Sequence, residues 1–330
     1  MGTAYPFQCN QMATPAGSDR LKRMSLTRPI LVGYISLCLI WGSTWLAIRV
    51  VVRDVPPLEA AALRFIAGAV LLLALAAIQK RRWPRDRAQW NAILTLSLTI
   101  MAIPYGLLFW AEQVVTSSMT AVLFSALPLV VALLTPLMMK SKVPRQAVFA
   151  MLVAFGGLLV LFYTGLSASR RSLLAGLAIL AAMLLSSWSV VYAKQRLREV
   201  DSVVGTGLQL GFGSLALLWG TWALEAHRHA NWTREALLAL LFLAVFGSCV
   251  AFVVYYWLIK KMQPYQVSTI SLVTPLIALM EGALLLREAV PLLMLLAMAL
   301  VLGSVAAGLR AAPEMEQPDG RVLMIQGRPE

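Results

Sequence analysis

Arg64, Glu112 and Glu281 are the side chains of this 330-residue sequence best placed to do chemistry, since each stands in or at the edge of a long apolar run. At bilayer depth an ionisable group costs ~2.5–3.5 kcal/mol on insertion scales, so each needs a partner or a task. The groups that usually run catalysis are missing around them. Both histidines, His227 and His229, share one polar loop, and no apolar run contains Asp. Cys9, Cys38 and Cys249 lack the spacing of metal ligands. The sequence therefore predicts no catalytic residue, no metal site and no cofactor, and a membrane hydrolase is disfavoured without an acid–base pair.

Arg64 lies six residues inside Leu58, about 9 Å along a helix, and Glu281 lies five from Leu286, about 7.5 Å from the same side at ~1.5 Å per residue. Two readings of Arg64 stand. It forms a structural intramembrane charge pair with Glu112 or, as second choice, Glu281, or its guanidinium lies on a cavity wall and grips a substrate carboxylate. Glu281 is either a cavity-facing proton carrier or an ion-pair partner, and Glu112 ends its helix at the outer mouth. The expected substrate cavity comprises Trp41, Ser43, Thr44, Trp45, Tyr105, Ser125, Ser187, Trp188, Tyr192, Tyr256, Thr274 and Glu281. Trp41, Trp45 and Trp188 are favoured because they sit mid-run, away from the interfacial belt, where a free indole N–H suits an apolar pocket. Pro104, Pro128 and Pro275 are predicted helix kinks, and Gly207 with Gly211 a helix-packing motif.

These residues need long apolar elements to hold them, and the composition supplies them. Hydrophobic residues make up 60% of the chain and charged ones 13%, against ~45–50% apolar in soluble domains, and the mean hydropathy is +0.77. A water-soluble globule is excluded for want of polar surface. The net charge of +13 does not signal nucleic acid, because the basic residues sit in short clusters between apolar runs. Runs at 30–51, 58–78, 89–111, 117–139, 144–163, 173–193, 203–224, 236–259, 265–286 and 290–310 each match the ~17–25 residues of a crossing helix. The predicted fold is all-α and polytopic, with ten transmembrane helices, because lipid offers the backbone no other partner. Residues 1–29 and 311–330 are polar, proline-containing tails, and Met24 makes residues 1–23 a candidate extension.

The chain also resembles itself. Trp110 and Trp257, Pro128 and Pro275, Pro144 and Pro291, and Gly156 and Gly303 are all 147 residues apart, while Gly68 and Gly213, and Arg64 and Gln209, are 145 apart. Two five-helix repeats follow, 30–163 and 173–310, and an odd number of crossings inverts the second copy. Placing the N-terminus inside puts 20 of the 28 Lys and Arg residues inside and seven outside, with Arg64 within a span. The positive-inside rule then sets both termini in the cytoplasm.

The segment Trp41-Gly42-Ser43-Thr44-Trp45 through Arg49, then Pro56-Pro57-Leu58 and Leu63-Arg64-Phe65, resembles the first two helices of the ten-helix EamA-type permeases of the drug/metabolite transporter superfamily. Ala111-Glu112-Gln113, Leu127-Pro128-Leu129, Thr274-Pro275-Leu276 and the Arg287-Glu288 turn are similar to later stretches of the same pattern, and the resemblance covers roughly 30–310. Ser141 departs from it, standing where the other hairpin has Glu288. The resemblance implies a bacterial inner-membrane carrier, often an exporter of amino acids, metabolites or drugs, working by alternating access, and the expected architecture is an inverted-repeat carrier with a central cavity lined mainly by spans 1, 3, 4, 6, 8 and 9. Its expected partners are a small-molecule substrate, the lipid bilayer and a proton as candidate coupling ion, with a monomer or homodimer as the assembly. The alternatives are a membrane-embedded enzyme, for which no loop supplies a reactive cluster, and a regulatory membrane protein without flux.

Overall fold

The computed structural model describes residues 27–162, 169–286 and 292–310, and every regular element among them is helical. Prolines and short polar caps set the helix boundaries. Helix α1 (Arg28–Asp54) has Pro29 in its first turn and stops where Val55 turns extended, the conformation forced on a residue preceding proline. Helix α2 (Pro57–Ile78) has no capping side chain of its own. Glu225 caps it from across the bundle, its carboxylate accepting the N–H groups of Leu58 at 3.0 Å and Glu59 at 3.2 Å, where a negative charge meets the positive helix end.

Asp86 caps α3 (Arg87–Leu96), which passes through a π-helical turn, Ser97–Ala102, into α4 (Ile103–Glu112). Pro104 explains that wide turn, because without an N–H it cannot continue the α-helical ladder. Next come α5 (Ser117–Phe124), capped by Thr116, a break at Ser125 and Ala126, and α6 (Leu127–Met139). The expected kink at Pro128 is thereby relocated. Pro128 occupies the first turn of α6, where a missing N–H has no cost, and the bend arises at the break before it. Pro136 is the proline inside α6.

Helix α7 (Arg145–Phe162) precedes α8 (Arg170–Arg196), capped by Ser169, and α9 (Ser202–Leu224), capped by Asp201. A second π-helical turn, Leu243–Val250, joins α10 (Arg234–Phe242) to α11 (Ala251–Lys261). The short α12 (Pro264–Ser268) leads to α13 (Ile270–Leu286), which holds Pro275 in its interior, and α14 (Leu292–Arg310) ends the described chain. Moved by the 147-residue offset, the first wide turn lands on 244–249, inside the second.

Seven stretches among the described residues are long and apolar enough to cross a membrane: Arg28–Asp54, Pro57–Ile78, Arg87–Glu112, Met119–Met139, Arg170–Arg196, Ser202–Leu224 and Arg234–Lys261. Two further stretches of the described residues, Arg145–Leu159 and Ala299–Arg310, are shorter apolar helix. The Arg287-Glu288 hairpin, Cys9, Met24, residues 1–26 and residues 311–330 lie outside the described residues. Leu133, Leu137, Trp219 and Trp222 point outward at 69–78% exposure, an apolar surface suited to lipid and hazardous in water.

Helix α2 packs along α9 and α7 along α14, while α1 meets α13, α10 and α11, and α8 meets α6, α5 and α4. Exchanging the two expected repeats returns α2–α9 and α7–α14 to themselves and turns α1–α13 into α8–α6 and α1–α11 into α8–α4, whereas α8–α5 has no such counterpart. Small residues permit the closest approaches. Gly207 faces Leu72 and Leu73 of α2 and Gly211 faces Ala69, whereas a Cβ on Gly213 would lie 2.7 Å from that of Met101.

Candidate functional site

On α1, Trp41, Thr44, Trp45 and Ile48 recur at the i, i+3, i+4, i+7 spacing that puts them on one helical face, and that face lines a central cavity of about 90 Å³. The stretch around the first wide turn adds Ile100, Tyr105 and Leu108, and the α5–α6 break adds Phe124 and Leu127. Across the cavity stand Ser186 and Val190 of α8, Phe252 and Tyr255 of α11, and Ser268, Ser271 and Thr274 near the α12–α13 break.

The wall is a lattice of aromatic edges and faces. Trp41 lies 5.6 Å from Phe252 and 5.0 Å from Tyr255, Tyr105 lies 6.0 Å from Phe252, and Trp45 meets Phe124 edge-on at 5.8 Å. Thr44, Ser268 and Ser271 donate to carbonyls of their own turns at 2.7–3.0 Å, which keeps their oxygen lone pairs for a guest. Trp41 Nε1 is buried without a partner, and no charged side chain lines the cavity. Such a site favours a molecule with a flat or apolar body, an acceptor for the indole N–H and a donor for the hydroxyl lone pairs.

Of the expected cavity residues, Trp41, Thr44, Trp45, Tyr105 and Thr274 come together there. The others lie elsewhere, for identifiable reasons. Ser125 turns back on the Val122 carbonyl and Ser187 on that of Met183. Trp188 stacks on Tyr192 at 4.7 Å, while Tyr256 donates to Gln209 Oε1 at 2.6 Å. Ser43 donates to Glu281 in a separate groove between α1, α10 and α13, lined also by Leu46, Val50 and Phe242. Phe124, Tyr255, Phe252, Ser268 and Ser271 line the cavity and were not among the expected residues. The helical spacing from Trp41 and the three-residue spacing Ser268, Ser271, Thr274 were the available signals.

Arg64 is corrected most. Neither expected acid pairs with it. It is fully buried, its Nε donating to Ser248 Oγ at 2.8 Å and one Nη to the Gly247 carbonyl at 2.9 Å, and its guanidinium carbon lies 4.9 Å from the Tyr105 ring centre. The Gly247 carbonyl, inside the wide turn, and the aromatic face take the place of a carboxylate as partners of the cation. Its other Nη has no partner. Glu112 bonds Ser117 instead, and Glu281 bonds Ser43.

Outside the helices, Glu225 sets the electrostatics of one end. Burial pushes its carboxyl above the ordinary range, opposed by the Leu58 and Glu59 N–H groups and by Arg228. Among the described residues no cluster of His, Cys, Asp and Glu could hold a metal, and Cys38 and Cys249 are buried free thiols.

The EamA-like transporter family matches the chain twice, at residues 28–163 and 173–308. The "uncharacterized transporter YoaV" of Bacillus subtilis (strain 168) is 29% identical over 82% of this chain and 94% of its own length. The "uncharacterized inner membrane transporter YedA" of Escherichia coli (strain K12) is 28% identical over 77% and 82% respectively. One protein crystal structure aligns with a TM-score of 0.69 over 84% of this chain and 96% of that one, a likeness of fold at 19% identity.

Proposed function

The chain belongs to the EamA-like transporter family, and from that premise we propose that it is a secondary transporter of small organic molecules such as amino acids, related metabolites or drugs. The carrying observation is the central cavity, with an aromatic wall, a row of hydroxyls and one unsatisfied indole N–H, and no charge in its lining. Substrates in this reading are amphipathic, with an apolar or aromatic body and a carbonyl or carboxyl acceptor. The two repeats are inverted and cross the membrane ten times, rocking around the cavity in alternating access. The helix pairs that match on exchange, α1–α13 with α8–α6 and α1–α11 with α8–α4, and the matched wide turns support this.

In the same reading the protein resides in the bacterial inner membrane with both termini cytoplasmic, exports its substrate and uses a proton as coupling ion. The charge bias of the loops and the printed name of the Escherichia coli relative support the location. The unpartnered Nη of Arg64, just behind Tyr105 and Thr44, favours an acceptor that carries negative charge. Reconstitution in lipid vesicles with a panel of neutral, anionic and cationic metabolites tests the proposal. Flux of at least one class, diminished by Trp41→Ala, is expected. No flux for any class sinks it.

A further inference from the structure

Glu112 ends α4 with its carboxyl group fully buried. Oε2 accepts from the Ser117 hydroxyl at 3.0 Å, and Oε1 has no partner. Beside it, Arg49 donates to backbone rather than to that carboxyl: Nη1 bonds the carbonyl of Glu112 itself and, at 3.1 Å, that of Val115. These carbonyls stand at the helix end, where no intrahelical partner remains. An acid and a guanidinium are thus neighbours without forming an ion pair. From α1 the facing charge is Arg49, and α5 offers the hydroxyls of Ser117 and Thr120. Helices α2 and α8 also pack on α4, yet no ionised group of either acts on Glu112, Arg64 facing Tyr105 and Phe109 instead.

An ionised carboxylate in this seat would have the Ser117 hydroxyl alone bonded to its two buried oxygens, since the Thr120 hydroxyl is turned to the Thr116 carbonyl, a costly arrangement. A protonated acid leaves only an uncharged atom short. The seat also adjoins the cavity. Leu108, one turn before Glu112, Ile48, next to Arg49, and Phe124 on α5 all line it. We infer that Glu112 is a proton-binding site, and that loss of its proton draws Arg49 off the Glu112 and Val115 carbonyls into an ion pair, loosening the α4–α5 turn over the cavity. The proton passes from the carboxyl oxygen to water at that end of the bundle, and no other bond changes. Its use in coupling rests on the transporter reading, whereas the site itself does not.

The test uses the full chain in phospholipid vesicles and the proton as probe. Infrared difference spectra between acidic and alkaline buffer are expected to show a protonated-carboxyl band that bleaches as pH rises, vanishes in Glu112→Gln and survives, shifted, in Glu112→Asp. With the native cysteines replaced by alanine, nitroxides at Arg53→Cys and Val114→Cys are expected to change separation with pH. Adding Glu112→Gln or Arg49→Gln should make that separation independent of pH. Persistence of the band in Glu112→Gln, its loss in Glu281→Gln instead, or a separation change that survives Glu112→Gln overturns the inference. Band and movement without flux of any metabolite would leave the proton site standing and remove the transport reading, whereas flux without the band does the reverse.

Discussion

Trp41 lines the cavity and carries a buried indole N–H that has no partner. Trp41→Phe keeps a ring against Phe252 and Tyr255 and removes that donor. It is expected to lower transport about tenfold, the value of one lost hydrogen bond of ~1–1.5 kcal/mol, with membrane expression unchanged. Trp188→Ala should act on stability first, since that ring stacks on Tyr192 away from the cavity, and Trp232→Ala, in an exposed loop position, should do neither. Equal transport losses in vesicle assays of all three variants would remove Trp41 from its role. Ser248→Ala strips Arg64 Nε of its acceptor and leaves a second buried N–H unpaired, so thermal unfolding in detergent should show a loss of about 1–3 kcal/mol. At this scale the sequence disclosed which residue types matter but not which way they face. Ser186 and Ser187 differ by 100° on one helix, and only the first reaches the cavity. Arg64 was recognisable as a buried charge in need of compensation, yet its partners, a backbone carbonyl, a serine hydroxyl and an aromatic face, leave no mark in a tally of acids and bases.

The elements that seat these residues owe their geometry to interruptions more than to regular helix. The wide turn Leu243–Val250 brings Gly247 so close to α1 and α2 that a Cβ there would lie 2.9 Å from Thr44 Cγ2 and 3.1 Å from an Arg64 Nη. Gly247→Ala is therefore expected to destabilise by about 1–3 kcal/mol through overpacking and to disturb the seat of Arg64. Gly303→Ala is the matched control, because a Cβ there meets nothing within 4 Å. It should be neutral or stabilising by up to ~1 kcal/mol, the helix-propensity gain. Thermal unfolding of both variants in one lipid or detergent checks the contrast, and equal effects would refute the packing account. Apolar runs announce helices plainly, which is why most boundaries lie within a few residues of those expected. Wide turns are harder to read. Pro104 signals the first, but the second has no proline, and only the repeat offset links Ser97–Ala102 to its counterpart. Pro128 and Pro275 share that offset and still differ, one opening a helix and the other buried within one.

At the scale of the whole molecule, both ends of the bundle are tied across the repeats. At one end Arg228 donates to Gln113 Oε1 at 3.3 Å, Thr233 to Asp54 Oδ2 at 2.7 Å and Asn231 N–H to the Asp54 carbonyl at 2.8 Å. At the other, Arg81 meets Asp201 at 3.0 Å, and Gln195 donates to the Met138 carbonyl. Half-buried or exposed contacts such as Arg81–Asp201 and Arg228–Gln113 are worth little singly, ~0–1 kcal/mol, so in the proposed cycle the halves separate at one end while the opposite end holds. Passage through a cavity between the halves needs that alternation, and covalent locks should stop it. In a cysteine-free background, an oxidised Gln113→Cys/Arg228→Cys pair and an oxidised Arg81→Cys/Asp201→Cys pair are each expected to abolish net flux in vesicles, with recovery on reduction. The locks should also differ in sidedness. A membrane-impermeant thiol reagent added to intact cells should reach the unlocked 113/228 pair and not the 81/201 pair, because in the proposed orientation the loop at 80–87, with its five basic residues, faces the cytoplasm. Labelling of position 81 from outside would invert the proposed orientation, and undiminished flux through either locked form would rule out alternating access around this cavity.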